Sequence, residues 1–400
     1  MGGKKISFDL EKRGYLKYLL FANLYFPEGI SNILVPVLIP VYLVSLDFPV
    51  EIITVVVGFG LIPWIIKFLW SGIIDIFISK GRKFFVIIGG LIAVFCLISL
   101  FFISPLTLLI PFIIILFLSQ IGQTLLDSAA DAWGIDVSTK ENRGKLNGAM
   151  KLGMVLGSGI GAIVLASFAE FFGNNYMFLI AGLIILLNLI LPTVIRETVK
   201  KTKDQKVTKL LLIELKKRYA KLLLFYIPLA TMGSGIFAFG IPIFASNILN
   251  LSTGEIGLIA GLGTIFAIPG SIVGGIISDK LERKKSIFIF IVPTAFLIFL
   301  VILSNNIAYV IFLYSIIIFL FSGFAASLHS FNMDATNPKI GGTQFSLYNG
   351  LANLGYIGAG TITGSIIAIL GYNYMFILSG LVLLPPLIIL HFIKINNIDN

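Results

Sequence analysis

Twelve long apolar runs, separated by short polar or Gly/Pro-containing connections, constrain this 400-residue chain more than any other feature. A helix needs about 20 apolar residues to cross a hydrocarbon core about 30 Å thick, so each run can span a membrane. The predicted spans are 15–46, 51–78, 84–104, 106–132, 144–169, 173–195, 219–249, 253–278, 286–304, 307–331, 343–370 and 373–393. Hydrophobic residues make up 58% of the chain and charged residues 12%, which excludes a soluble fold.

The distribution of basic residues predicts how the spans are oriented. The chain has 29 Lys and Arg residues and a net charge of +10, which in a soluble protein would suggest nucleic-acid partners. Here, however, nearly all of them lie before the first span or after even-numbered spans. By the positive-inside rule we expect both termini in the cytoplasm. The first fifteen residues contain no apolar core followed by a small-residue cleavage site, so we expect no cleavable signal peptide. We expect the protein to reside in the plasma membrane.

One long charged stretch falls near the middle of the chain and divides it into two halves. We predict an N-terminal six-helix bundle over 1–195, a cytoplasmic linker over 196–218 and a C-terminal six-helix bundle over 219–400. The linker is interpreted as a solvated basic segment near anionic lipid headgroups. Its apolar core at 210–215 is a candidate interfacial helix.

A short motif occurs once in each half, after the second span and after the eighth. In each copy a small residue precedes an aspartate by four positions, as in Ser71 with Asp75 and Gly275 with Asp279, and basic residues follow. The basic members are Arg82, Lys83, Lys280 and Arg283. The small residue predicts close helix contact, and the charges predict a latch that gates the cytoplasmic side. Generic charges at the membrane edge would explain part of this pattern.

Ionisable and amide side chains lie deep within spans of the N-terminal half. The candidates for a substrate or proton site are Glu28 and Asn32 in span one, Lys67 in span two, and Gln123, Asp127 and Asp131 on one face of span four. Charged groups at this depth are costly and must face a partner or a cavity. Lys67 is predicted either to pair structurally with a carboxylate or to bind an anionic substrate, while an unpaired buried carboxyl group carries a proton.

The C-terminal half carries fewer charges within its spans. Asn349 and Asn353 share a face of span eleven and could bind a substrate or only a neighbouring helix. Runs of small residues, such as Gly153, Gly157 and Gly161, are interpreted as packing seams between helices.

The repeated motif resembles the loop signature of the major facilitator superfamily, in which a small residue, three others, Asp, a basic residue, any residue, Gly and two basic residues follow in order. The second copy, Gly275 to Lys284, fits it with Glu282 in place of glycine, and the first copy has extra residues after Asp75. This resemblance implies twelve helices in two pseudo-symmetric bundles that rock about a central site.

Three further segments resemble the branch that contains the muropeptide permease AmpG and the acetyl-coenzyme A transporters. They are Lys67-Phe68-Leu69-Trp70-Ser71 with Asp75, Asp127-Ser-Ala-Ala-Asp131-Ala132 with Glu141-Asn142-Arg143-Gly144, and Gly342-Thr343-Gln344-Phe345-Ser346-Leu347 with Asn353-Leu354-Gly355. Met154-Val155 replaces the branch's Tyr-Arg pair, and Lys151 is a candidate substitute for that arginine.

These observations predict an all-α, polytopic secondary transporter. We expect a small organic solute, anionic or amphipathic, protons as the coupling ion, a monomer in the lipid bilayer, and no cofactor, metal or nucleic-acid partner. The absence of a phosphate-binding loop argues against direct use of ATP. A ligand sensor without net flux and a polytopic membrane enzyme are the alternatives.

Overall fold

The computed structural model describes residues 8–9, 14–138, 143–197, 207–303, 306–337 and 340–394. These residues are mainly helical, as the long apolar runs predict. The helices are α1 (Gly14–Ile33), α2 (Ile39–Val44), α3 (Val50–Ile65), α4 (Phe68–Ile76), α5 (Arg82–Phe101), α6 (Leu109–Val137), α7 (Arg143–Phe172), α8 (Tyr176–Asn188), α9 (Ile190–Val194), α10 (Val207–Leu215), α11 (Arg218–Asn247), α12 (Thr253–Lys280), α13 (Arg283–Val301), α14 (Ile307–Asp334), α15 (Gly341–Leu370), α16 (Tyr372–Val382) and α17 (Pro386–Phe392).

The helices are long and apolar enough to confirm a multi-pass membrane fold. Among the described residues, 11 helical segments can each cross a membrane, and the bent pair α3 and α4 raises the number to as many as 12. The predicted spans therefore correspond to helices, with ends that differ by a few residues.

Prolines explain where the first span departs from a regular helix. A π-helical turn, Leu34–Leu38, joins α1 to α2 and contains Pro36. Because proline has no backbone N–H and its ring crowds the preceding turn, it disrupts the regular hydrogen-bond ladder. The first span therefore runs without interruption from α1 to α2, with one π-helical turn between them.

The chain forms two compact units whose members are not simply the two halves of the sequence. Unit 1 contains Met1–Ile39, Gly60–Lys203 and Thr253–Gly261. Unit 2 contains Pro40–Phe59, Asp204–Ser252 and Leu262–Asn400. Each unit thus includes one segment from the other half of the sequence, and we call these the exchanged segments.

Hydrogen bonds attach each exchanged segment to its unit. Within unit 2, the Thr54 hydroxyl donates to the Thr361 carbonyl at 2.9 Å and accepts from the Gly364 N–H at 3.1 Å. Within unit 1, the Gly254 N–H donates to the Glu170 carboxylate at 3.0 Å. Each exchanged segment is therefore hydrogen-bonded to the unit that contains it.

Glycines allow the main helix pairs of both units to approach closely. In unit 1, a Cβ atom on Gly157 of α7 would collide with the Phe26 carbonyl of α1. In unit 2, a Cβ atom on Gly355 of α15 would collide with the Pro228 carbonyl of α11. The seam predicted at Gly157 is confirmed, and an equivalent seam exists in the other unit.

Candidate functional site

A break in the second span places Lys67 in the interior of unit 1. The span bends by 42° between α3 and α4, where Ile66 and Lys67 form the connection. At this break the Leu69 N–H donates to the Ile66 carbonyl and the Trp70 N–H to the Lys67 carbonyl, so three-residue turns replace the regular helical ladder. The Ser128 hydroxyl lies 3.4 Å from the same Lys67 carbonyl and ties the break to α6.

Two aspartates of α6 share the charge of Lys67. The Lys67 Nζ atom lies 2.6 Å from Asp127 Oδ2 and 3.6 Å from Asp131 Oδ2. Asp127 is buried, whereas Asp131 is partly exposed. The Trp64 ring centroid lies 5.8 Å from the same nitrogen, which adds a cation–π contact. The predicted pairing of Lys67 with the carboxylates of span four is therefore present.

Helix α1 adds a phenol and a third carboxyl group to this set. The Tyr25 hydroxyl donates to the Asp131 carboxylate. The Glu28 Oε2 atom is buried and has no hydrogen-bond partner among the described residues. Glu28 interacts electrostatically with Lys67 and Asp127, so it belongs with them. We call Tyr25, Glu28, Lys67, Asp127 and Asp131 the intramembrane charge cluster.

Lys151 of α7 lies beside this cluster. It is exposed, and its Nζ atom is 3.8 Å from the Met154 sulfur. It interacts electrostatically with Glu28. Unit 1 therefore brings Lys67 and the exposed Lys151 together with three carboxyl groups, an arrangement that can exchange protons and pair with a charged ligand.

The amides on the same face of α6 bond to neighbouring helices. Gln123, predicted as a site residue, is buried and donates to the Pro27 carbonyl at 3.3 Å. Gln120 accepts from the Ser31 hydroxyl at 2.7 Å and from the Trp64 indole N–H at 3.0 Å. These contacts connect α6 to α1 and α3 and support the positions of the charged side chains.

The remaining predicted site residues are Asn32, Asn349 and Asn353. Asn32 follows Glu28 by four residues in α1 and is exposed. Asn349 and Asn353 are half-buried in α15, which belongs to unit 2. Their part in binding stays a prediction.

At one end of unit 1, a basic pair at the start of α5 bonds to three other segments. The Glu197 carboxylate accepts from the backbone N–H groups of Arg82 at 2.6 Å and Lys83 at 2.9 Å. It thereby satisfies free donors at the helix N-terminus. The Arg82 Nε atom lies 3.3 Å from the Asp136 carboxylate, and the Lys83 ammonium donates to the Thr193 carbonyl at 2.7 Å. We call this region the basic end of unit 1.

Unit 2 repeats this arrangement at the start of α13. The Arg283 guanidinium bonds to the Asp334 carboxylate at 2.8 Å and to the Asp279 carboxylate. The Lys284 ammonium donates to the His391 carbonyl at 3.3 Å. The arginine therefore bonds to the end of the next long helix in both units, and the lysine bonds to the end of the last span. We call this region the basic end of unit 2.

The structure changes one detail of the predicted gating motif. A Cβ atom on Gly275 would meet nothing within 4 Å, so the expected close contact is absent there. The contact occurs one residue earlier, where a Cβ on Gly274 would lie 2.5 Å from the Gly323 Cα atom. Gly275 lies on the wrong face of α12 to make it.

The remaining members of the motif are Ser71, Lys280 and Asp75. Ser71 is half-buried in α4, and Lys280 is exposed at the end of α12. Asp75 lies in α4, but its side chain falls outside the described residues. Its role as the acid of the first latch stays a prediction.

Sequence reasoning missed Tyr25, Asp136 and Glu197. Asp136 follows Asp131 by five residues at the end of α6, and this spacing could have indicated a partner for Arg82. Glu197 lies in the predicted linker, which we expected to be solvated. That expectation is wrong for Glu197, because its carboxylate caps α5.

In the described part of the chain, no group of three or more His, Cys, Asp and Glu side chains could hold a metal ion.

Comparison with known proteins gives one family and a set of related folds. The family model described as Major Facilitator Superfamily matches residues 21–229 and again residues 223–397. Two matches in tandem cover nearly the whole chain and agree with the repeated pattern of helices and basic ends.

Several solved transporter structures share the fold over almost their full length. A bacterial homologue of the human lysosomal transporter Spinster is 13% identical, with a TM-score of 0.68 and 97% coverage of both chains. The xylose transporter XylE from E. coli, in an inward-open conformation, is 14% identical, with a TM-score of 0.69 and 96% coverage of both chains. A D-xylose–proton symporter is 15% identical, with a TM-score of 0.67 and coverage of 95% of this chain and 96% of that one.

Proposed function

Because the chain belongs to the major facilitator superfamily, which points to a transporter and not an enzyme, we propose that it is a proton-coupled secondary transporter of a small organic solute. The observation that carries this proposal is the intramembrane charge cluster. Lys67 and three carboxyl groups lie within membrane-spanning helices of one unit. Charges at such depth are expensive, and they mark ion and substrate pathways.

The proposed mechanism uses the surplus of carboxyl groups over the lysine. Lys67 contacts both Asp127 and Asp131, so a proton on either aspartate leaves the other to balance the lysine charge. Protonation of both would leave the ammonium group available to an anionic solute. The Glu28 carboxyl group, whose buried Oε2 atom has no partner among the described residues, is a second acceptor for a proton or for a donor group of the solute.

We also propose that the chain belongs to the AmpG and acetyl-coenzyme A transporter branch. In support, two of the three resembling segments meet in the structure, since Lys67 of the first contacts Asp127 and Asp131 of the second. Lys151 lies close enough to interact with Glu28, which supports its substitution for the missing arginine. An anionic or amphipathic conjugate is the proposed solute class.

The cellular setting completes the proposal. The basic ends lie in the cytoplasm, with both termini, and the membrane is the plasma membrane. The bundles comprise 1–195 and 219–400, joined by the linker 196–218, and the protein acts as a monomer by alternating access. The contacts of Arg82 and Arg283 form the gating latches, which open in one state and close in another.

A ligand screen followed by a flux assay tests this function. Purified protein is screened by thermal shift against muropeptides, acyl-coenzyme A species, sugars, peptides and drugs, and proton flux is then measured in proteoliposomes for each stabilising compound. We expect solute-driven proton uptake that is lost in Asp127→Asn and Glu28→Gln variants. Full proton flux in both variants would refute the assigned coupling groups.

A variant outside the charge cluster serves as the control for proton flux. Ser327→Ala removes a buried hydroxyl in unit 2 that bonds to Ser286 at 2.7 Å, and it should leave proton flux unchanged. A compound that stabilises the protein but drives no flux in either direction would replace the transporter proposal with the sensor.

A further inference from the structure

The short helix α10 exposes two apolar residues and buries an acidic one, the reverse of what is usual for a helix on a soluble protein. Leu212 and Ile213 are 58% and 50% exposed, whereas the charged Glu214 is 5% exposed. A surface helix in water normally buries its apolar residues and exposes its charges. The apolar pair of α10 therefore faces away from the protein, and its carboxylate faces inward.

Glu214 fixes the rotation of α10 about its axis. Its carboxylate accepts from the Lys217 ammonium at 2.9 Å, the Tyr219 hydroxyl at 3.0 Å and the Asn337 amide at 2.6 Å. The backbone N–H of Asn337 donates in turn to the side chain of Gln344 at 2.9 Å. Any rotation that buried Leu212 would break these bonds, so the outward orientation is built into unit 2.

The surroundings of α10 match the surface of an anionic bilayer. Four exposed basic residues follow the apolar pair within eight residues, namely Lys216, Lys217, Arg218 and Lys221. Arg218 also begins the membrane-spanning helix α11, so the apolar pair lies near the level at which the chain enters the membrane. Apolar residues flanked by basic residues are typical of helices that lie in the headgroup region.

We propose that α10 is an interfacial helix that docks on anionic phospholipid through Leu212 and Ile213, with Glu214 as the residue that sets its orientation. The basic residues beside it attract the headgroups, and the apolar pair enters the boundary of the acyl chains. This inference depends on the membrane-spanning fold and is independent of the solute and of proton coupling.

Site-directed spin labelling of the full-length protein tests the inference. Cys96, the only cysteine, is replaced by alanine, and a nitroxide is attached at Leu212→Cys, Ile213→Cys or Lys216→Cys in separate variants. Each is reconstituted in vesicles of phosphatidylcholine or of an equal mixture with phosphatidylglycerol. We expect collision with oxygen, relative to a water-soluble nickel complex, to be severalfold higher at positions 212 and 213 than at 216, and to rise with phosphatidylglycerol.

The controls address orientation and other occupants. Glu214→Ala or Asn337→Ala should reduce the difference between positions 212 and 216, because each removes part of the network that holds α10. Equal accessibility at all three positions in both vesicles would overturn the proposal, as would immersion that does not change with phosphatidylglycerol. Strong dipolar coupling between labels at 212 on different molecules would assign the apolar pair to a second copy and also overturn it.

Discussion

The two units share a framework but differ in what their interiors contain. Unit 1 holds the intramembrane charge cluster, centred on the contact between Lys67 and Asp127. Among the described residues, the buried polar side chains of the spans in unit 2 are hydroxyls and amides, such as those of Thr294, Ser327 and Ser379. The same helix pairing thus supports an ionic interior in one unit and a neutral interior in the other.

This difference separates structural requirements from functional ones. Helix seams and basic ends occur in both units, so the fold requires them. The charge cluster occurs in one unit and is costly to maintain in a membrane, so the fold alone does not account for it. Substitutions at matched positions can test this separation.

The largest expected effect follows from breaking the ion pair of unit 1. Asp127→Ala removes the carboxylate nearest to the half-buried Lys67 and leaves Asp131 at 3.6 Å, and it should lower the free energy of unfolding by about 3–5 kcal/mol. Ser327→Ala in unit 2 should cost about 1 kcal/mol, because it removes one neutral hydrogen bond. Denaturant unfolding in detergent measures both. Equal losses of stability in the two variants would contradict the difference between the units. Partial recovery of stability in the double variant Lys67→Met/Asp127→Ala would support it further.

The seams should respond alike in both units. Gly157→Ala and Gly355→Ala each place a methyl group against a backbone carbonyl, and each should destabilise its unit by about 1–3 kcal/mol. Gly148→Ala and Gly358→Ala in the same helices provide matched controls, because a Cβ atom there meets nothing within 4 Å. The controls should be neutral or stabilising in thermal unfolding. A large loss in only one unit would contradict a shared framework.

The two basic ends should differ, by a smaller amount, in how much their arginines contribute to stability. The Arg82 side chain is 5% exposed, so Arg82→Ala should cost about 1.5–3 kcal/mol through lost bonds to a charged partner. The Arg283 side chain is 28% exposed and its partners more so, and Arg283→Ala should therefore cost less than about 1 kcal/mol. The same unfolding assay in added salt distinguishes them, since salt should weaken only the contribution of Arg283.

The smallest expected effect is the titration of Glu214. Although burial raises its pKa, hydrogen bonds from Lys217, Asn337 and Tyr219 outweigh burial and hold the pKa of Glu214 below its ordinary value. Its contribution to stability is therefore complete above the unfolded pKa of about 4.3 and is lost as the pH falls through the lower folded pKa. Glu214→Gln should remove this dependence when unfolding is followed from pH 6 to acid. An unchanged pH profile in the variant would contradict the assignment.

Sequence patterns predicted the helices and the central ion pair for clear physical reasons. Membrane spans require long apolar runs, and any charge within them stands out, which is why Lys67, Asp127 and Asp131 were identified. Tyr25 gave no such signal, because a tyrosine within an apolar run resembles ordinary core. Glu214 was missed because its position in a basic stretch suggested solvation, whereas one of its hydrogen bonds comes from Asn337, 123 residues away in the chain. Gly275 was chosen by its spacing from Asp279, and spacing alone does not determine which glycine faces the neighbouring helix.

The exchanged segments have a consequence for the order in which the protein matures during synthesis. Unit 1 includes Thr253–Gly261, so its contacts cannot be complete until the ribosome has made the start of the eighth span. Pro40–Phe59 is made early and has to wait for α15 before Thr54 can bond to Thr361. Domains usually fold one after another as they emerge, N-terminal first. Here each unit contains a segment from the other half of the chain, so a chain truncated between α11 and α12 would leave unit 1 without its last segment and Thr54 without Thr361.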